Sequence, residues 1–189
     1  TQEKNNLTEI REFVNEQFVI VRFVSWNANH DYGHKGISNS NKIRLVQEFS
    51  KYAKVYITSE NNLPEELQSY ALKIPPEHIH DLLAHAVLFY GESATMASEA
   101  AVLGTPAIYV DDVGRGYTDE QEKRYGLVYN FSETLEDQEH SIQKGIELLT
   151  TPNIKVEWLK RKEKMLSEKI DVTAFLTWFI ENYPGSVAT

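Results

Sequence analysis

Residues 91–106 read Gly-Glu-Ser-Ala-Thr-Met-Ala-Ser-Glu-Ala-Ala-Val-Leu-Gly-Thr-Pro, and this block constrains the fold more than any other part of the chain. The apolar run Ala86 to Tyr90 leads into its Gly-Glu-Ser turn. A helix of small residues follows, a Gly-Thr-Pro break ends it, and a second apolar run spans Ala107 to Val110. The pattern is strand, turn, helix, strand, with the helix N-terminus at the carboxyl edge of a parallel sheet. In open α/β folds such edges receive phosphate-bearing ligands, because first-turn N–H groups are unpaired and the helix dipole favours negative charge. Glu99 is the only charged side chain between Glu92 and Asp111, in a segment otherwise suited to burial. A buried carboxylate needs a partner. A ligand's pair of hydroxyls is one candidate, and Arg22 is another.

The elements around this block alternate between strand and helix. Phe18 to Val24 is an apolar run of the kind expected for a strand buried on both faces. A long loop rich in Asn, His and Gly spans Ser25 to Asn39. Ile43, Val46 and Phe49 mark a helix ending near Tyr52. Lys54 to Thr58 reads as a second strand and Ala71 to Ile74 as a short third. Pro75-Pro76 opens a helix with Ile79, Leu82, Leu83 and Ala86 on one face, since proline is tolerated in a first turn. Leu127 to Tyr129 reads as a strand, Ile142, Ile146 and Leu149 as a helix, and two more helices run from about Pro152 to Lys169 and Asp171 to Asn182. Such alternation predicts an α/β fold, a Rossmann-like doubly wound parallel sheet of about six strands with helices on both faces and a C-terminal helical tail. The expected organisation is a polar N-terminal extension over residues 1–17, one domain over 18–184 and a short tail over 185–189. The polar opening from Thr1 to Gln17 suggests a chain cut from a longer protein after a linker, or alternatively one whose initiator Met has been removed.

At 189 residues the chain can bury a sizeable core. Its formal net charge of −9 argues against a nonspecific grip on nucleic acid or anionic lipid, both of which need basic patches. No apolar run approaches the ~18–20 residues of a membrane span. The absence of cysteine excludes disulfides, thiolate zinc sites and cysteine nucleophiles, and fits a reducing, cytoplasmic compartment. Dinucleotide, P-loop, nucleophile-elbow and zincin motifs are missing, so redox, NTP-hydrolysing and standard hydrolase readings lose ground.

The candidate chemistry gathers at one sheet edge. Ser93, Ala94 and Thr95 would present backbone N–H groups and hydroxyls to an anion, or Ser93 would simply cap the helix. Thr95 and Glu99, four apart, share a helix face. Arg22 is an obligate cation in an apolar strand, suited either to a phosphate or to a buried ion pair. The loop after the first strand, with Ser25, Asn27, His34 and Lys35, supplies hydroxyl, amide, imidazole and ammonium groups for sugar hydroxyls and phosphate oxygens. Ser59 ends the second strand at the same edge. His30 and His34 are four apart, but the Asn/Gly content argues against a helix that would pair them on a metal, and no metal site is expected. Asp111 and Asp112 could hold a cation or lie in a surface loop. His78, His80 and His85 share no ligand face, and Lys160 to Lys164 is a solvated helix face of mixed charge.

The run Ile79-His80-Asp81-Leu82-Leu83-Ala84-His85-Ala86 into Val87–Gly91, then Ser93 through Pro106, resembles the C-terminal half of a GT-B glycosyltransferase. Val21–Trp26, His34-Lys35-Gly36, Tyr125–Ser132 and Trp178–Pro184 are similar to an uncharacterised family of that superfamily, domain of unknown function 354. The same central block resembles one in non-hydrolysing UDP-N-acetylglucosamine 2-epimerases, where an Asp-Ser-Gly-Gly turn binds the diphosphate and a following Glu binds ribose. That resemblance implies a phosphate turn at Ser93, Ala94 and Thr95 and a ribose carboxylate at Glu99. Here Glu92 precedes the serine, Ala94-Thr95 replace two glycines, and the epimerase's His-Arg after the first strand is missing.

What the resemblance implies is a nucleotide-sugar donor domain, UDP-sugar being the type substrate and no further cofactor being expected. It would act in polysaccharide or glycolipid synthesis, with the acceptor-binding N-terminal Rossmann-like half as its partner. Half of a UDP-sugar 2-epimerase, or a degenerate sugar-binding or assembly module without activity, are the alternatives.

Overall fold

The computed structural model describes residues 16–26, 34–112 and 114–188. β1, Phe18–Phe23, has five of its six residues buried, as the unbroken apolar run requires. Ser38 caps α1, Asn39–Phe49, through its side-chain oxygen. β2, Lys54–Ser59, is followed by two 3-10 turns, Glu65–Tyr70 and Pro76–His78, and by α2, Ile79–His85. The central block then forms β3, Leu88–Gly91, α3, Ala94–Leu103, and β4, Ala107–Val110. The rest of the chain gives α4, Gly116–Lys123; β5, Val128–Phe131; α5, Leu135–Thr150; α6, Ile154–Ser167; α7, Val172–Glu181; and a 3-10 turn, Gly185–Ala188.

The five strands are parallel, in the order β2-β1-β3-β4-β5. From β1 the chain winds outward to β2. It then crosses back past β1 and continues through β3, β4 and β5 in the opposite direction. α1 and α5 pack together over one face, and α2, α3, α4 and α6 cover the other. The sheet is therefore doubly wound, and its core strands carry Val19, Ile20, Val21, Phe89, Tyr90, Ile108 and Val110 out of contact with solvent.

Three features lock the crossovers in place. Gly104, at φ +83, ends α3 in the left-handed conformation that a side chain would resist, and Thr105 beside it donates to the Leu83 carbonyl at 2.6 Å. Lys155 reaches from α6 to the carbonyls of Ala84 and Ala86, at 2.8 and 3.1 Å, covering the C-terminal end of α2. Trp158, buried beneath α6, donates its indole N–H to the Leu127 carbonyl at 2.9 Å.

Three differences from the sequence reading have physical causes. The short third strand expected at Ala71–Ile74 is a single parallel bridge, Ile57 to Ala71, leaving five strands among the described residues rather than about six. Pro75 and Pro76 follow at once; neither has an N–H for the ladder, and the chain turns away. α4 is a helix the periodicity does not reveal, because its inward positions are the polar Thr118 and Gln121. The expected C-terminal helical tail is present, but no residue of α7 is buried, and Val172, Phe175, Leu176, Trp178 and Ile180 face water.

The α1–α5 layer yields a stability prediction. A Cβ on Gly145 would lie 2.4 Å from a ring carbon of Phe49, which is fully buried. Alanine at this helical position would otherwise gain about 1 kcal/mol of propensity, whereas overpacking a closed core costs about 1–3 kcal/mol. Gly145→Ala is expected to lower stability in urea denaturation; an unchanged or higher midpoint would show that the ring can move aside.

Candidate functional site

The connections leaving β1 and β3 diverge to opposite sides of the sheet, so the crevice between their carboxyl ends is the topological switch point of the fold. Gly91 brings β3 against β1 there, since a Cβ would sit 2.3 Å from the Arg22 carbonyl oxygen. The next residue, Glu92, turns its carboxylate into the crevice, with its side chain wholly shielded from solvent. Oε2 accepts the Val24 N–H at 2.8 Å and Oε1 the Ile37 N–H at 2.6 Å, while the Lys42 ammonium stands 3.7 Å away. Burial pushes the Glu92 carboxyl up; Lys42, the two backbone donors and the Trp26 indole pull in the other direction. One carboxylate thus holds both ends of the β1–α1 loop. Gly36, at φ +62, completes the fit: a Cβ would fall 2.3 Å from Glu92 Oε1 and 2.1 Å from Trp26 Nε1.

A cleft of about 270 Å³ opens beside this clamp, lined by Ser25, Trp26, Ser93, Ala94, Thr95, Tyr109, Asp111, Arg115 and Tyr117, among others. Four of the sequence-predicted residues, Ser25, Ser93, Ala94 and Thr95, are therefore brought together. Ser93 does cap α3, its Oγ accepting the Met96 N–H at 3.3 Å, and it borders the cleft as well.

The neighbouring edge is organised by Arg22. Its Nη2 meets Glu60 Oε1 at 2.6 Å, and Glu60 Oε2 accepts the Ser25 N–H at 3.1 Å. Partial burial works to raise the Glu60 carboxyl, but the Ser25 hydrogen bonds and the Arg22 guanidinium hold it below the ordinary glutamate value. Arg22 Nε and Thr58 Oγ1, on paired positions of β1 and β2, are shielded from water and have no hydrogen-bond partner. Both residues line an apolar slot of about 290 Å³ walled by Leu72, Ile74, Pro76, Ile79 and Met96. Both also line a larger cavity of about 660 Å³ that reaches Ser59 and Gln68.

Other expectations are corrected. Glu99 is not a stranded buried carboxylate: its side chain is 36% exposed and pairs with His80 Nε2 at 3.3 Å. Helical spacing turns it toward the α2 side, and the carboxylate of the block that is buried is Glu92. Arg22 is the partner of Glu60, not of Glu99. Lys35 lies away from the cleft lining and contributes its backbone N–H to Glu133 at 2.9 Å. His34 joins Asp111 and Glu133 rather than lining the cleft, with its ring stacked on Trp26 at a centroid distance of 5.2 Å. The Glu133 hydrogen bond raises the His34 pKa against the opposing effect of burial, and Asp111 adds to the rise. Asp111 is buried beside Tyr109, which donates its hydroxyl to it, so it is not part of an open surface loop. Asn27 and His30 lie outside the described residues.

No protein-family profile and no curated protein matches the sequence. Solved structures share the fold. A Listeria monocytogenes protein assigned as a UDP-N-acetylglucosamine 2-epimerase superposes with a TM-score of 0.54 at 14% identity, over 79% of this chain and 41% of its own. The spinosyn rhamnosyltransferase SpnG, complexed with spinosyn aglycone, gives 0.56 at 14% identity, over 88% and 45%. Os79 from O. sativa, in complex with UDP and deoxynivalenol-3-glucoside, gives 0.54 at 12% identity, over 82% and 39%. The chain thus has the fold found in GT-B glycosyltransferases and UDP-N-acetylglucosamine 2-epimerases, and spans less than half the length of these three proteins. The narrower resemblance to domain of unknown function 354 gains no support from a family match. Among the described residues, no helix is long and apolar enough to cross a membrane.

The clamp makes two measurable predictions. Glu92→Ala would orphan the Val24 and Ile37 N–H groups, each costing about 1–3 kcal/mol when buried, so a loss of roughly 2–5 kcal/mol is expected in chemical denaturation. Burial that raises the folded-state pKa above the unfolded value means that the folded chain binds the proton more readily. Wild-type stability, measured against Glu92→Gln, should therefore be highest below the unfolded glutamate pKa and fall as pH rises through the folded one. The opposite slope would show that Lys42 and the two backbone donors outweigh burial.

Proposed function

We propose that this chain is the nucleotide-sugar-binding half of a GT-B-like glycosyltransferase, the acceptor being held by an N-terminal half of the same protein. The observation that carries this reading is the pair of unpartnered atoms, Arg22 Nε and Thr58 Oγ1, beside an apolar slot at the switch point. A buried polar atom without a partner costs about 1–3 kcal/mol, and a ligand that supplies the partner recovers it. A flat nucleobase meets both demands, with apolar faces against Ile79 and Met96 and a polar edge toward Arg22 and Thr58. The diphosphate then falls to the α3 N-terminus, where Ala94, Thr95 and Arg115 line the cleft. Glu99 lies one helical turn beyond Thr95, and a ribose diol would take the place that His80 now holds. Catalysis at this half is electrostatic, the α3 amides and Arg115 stabilising the departing diphosphate. The route is polysaccharide or glycolipid synthesis, and the compartment is the cytoplasm.

Calorimetry of the chain with UDP, UDP-N-acetylglucosamine and a GDP-sugar tests the reading. Saturable binding of one of them is expected, weakened at least tenfold by Thr95→Glu, an exposed change that places a negative charge where the diphosphate would sit. Failure of all three to bind, or equal binding by the variant, overturns it. The epimerase alternative, which draws on the Listeria fold likeness, predicts conversion of UDP-sugar without an acceptor once both halves are present.

A further inference from the structure

Three loops that are distant in sequence converge on one point beside the cleft. His34 comes from the β1–α1 loop, Asp111 from the end of β4 and Glu133 from the loop after β5. His34 Nδ1 lies 3.1 Å from Asp111 Oδ1 and 2.9 Å from Glu133 Oε1, and the three ligand atoms are all within 4.8 Å of one another. The side chains are 14%, 2% and 7% exposed in that order, so the cluster is enclosed and not a patch of surface charge.

Each group is also aimed by a second contact. Asp111 takes the Tyr109 hydroxyl on Oδ2, which leaves Oδ1 toward the imidazole. Glu133 takes the Lys35 N–H on Oε2 and turns Oε1 inward. The His34 ring is fixed in plane by stacking on Trp26, at an interplanar angle of 14°. Outer contacts that fix the orientation of ligating side chains are a regular part of metal sites.

We propose that His34, Asp111 and Glu133 form a binding site for a divalent transition-metal ion on the wall of the switch-point cleft. One imidazole nitrogen and two carboxylate oxygens suit Mn²⁺, Co²⁺ or Zn²⁺ better than Ca²⁺, which takes six to eight oxygens. Ligands about 2.1 Å from an octahedral ion stand roughly 3.0 Å apart at neighbouring positions. The 2.9 and 3.1 Å separations match that edge. The ion would take the place of the proton that Nδ1 shares with the two carboxylates, and water entering from the cleft that Asp111 lines would complete its coordination. Bound there, it ties the β1–α1 loop to the carboxyl ends of β4 and β5. The site stands apart from the nucleotide reading, since none of its three residues carries the proposed base or diphosphate contacts.

Mn²⁺ is the probe. Titration of the chain, followed by the electron paramagnetic resonance of free Mn²⁺, is expected to show one saturable site per chain. His34→Ala and Glu133→Gln should each weaken it at least tenfold, while His140→Ala, on the exposed face of α5, leaves it unchanged. Because a variant could lose its fold, melting curves accompany each titration, and a second measurement uses the wild-type chain alone. There, substoichiometric Mn²⁺ should broaden the His34 imidazole resonances before those of His140. The proposal is overturned by the absence of saturable binding, by undiminished affinity in the two folded variants, or by broadening that spares His34.

Discussion

The Glu92 carboxylate is the interaction on which the candidate site depends. A charged group shielded from water is stable only when its lone pairs are met, and here they are met by backbone donors from opposite ends of one loop. Val24 leaves β1 and Ile37 stands just ahead of the Ser38 cap of α1, so the carboxylate sets where the loop departs and where it returns. Trp26 and His34, which face the cleft and the histidine–carboxylate cluster respectively, are placed between those two points. Gly36 and Gly91 are each required by a close approach, one to the clamp and the other to β1.

Sheet topology explains why so many different side chains meet there. A doubly wound sheet has one place where adjacent carboxyl ends send their chains apart, and the crevice that results is bounded by loops from several strands. β1 supplies Ser25 and Trp26, β3 supplies Ser93 to Thr95, β4 supplies Asp111 and β5 supplies Glu133. The apolar slot walled by Leu72, Ile79 and Met96 lies on the β2 side, where Arg22 and Thr58 hold paired register positions on β1 and β2. Charge at this edge is mixed: Glu92 anchors the β1–α1 loop, Arg22 is paired with Glu60, and Arg115 lines the cleft with Ser93 to Thr95.

Much of the fold is legible in the sequence, because buried parallel strands are apolar runs and most of the helices carry an apolar face. The β3–α3–β4 unit could be read almost residue by residue, down to the Gly104 break. Legibility fails where the signal is polar or relational. α4 turns Thr118 and Gln121 inward, so no apolar period marks it. Ala71–Ile74 has the composition of a strand, but the prolines that follow cut it to a single bridge. In the site, Ser93 to Thr95 were visible from the turn and the helix start. Glu92 and Glu99 could not be ranked from sequence, because which of two carboxylates is buried depends on whether it faces the β1–α1 loop or His80. Glu133 carries no local mark at all; its role comes from meeting His34 across 99 positions of chain.

The exposure of α7 has a thermodynamic corollary. A side chain contributes hydrophobic stabilisation in proportion to the area that folding removes from water, and Phe175, Leu176, Trp178 and Ile180 keep much of theirs in the folded state. They therefore contribute less to the balance between folded and unfolded chain than the wholly buried side chains of the sheet do. What they do determine is the chain's colloidal character. Polar substitutions along α7 therefore cut the apolar surface presented to water at a smaller cost in stability than the same changes in the core would carry, so solubility is more readily adjusted here than elsewhere in the molecule.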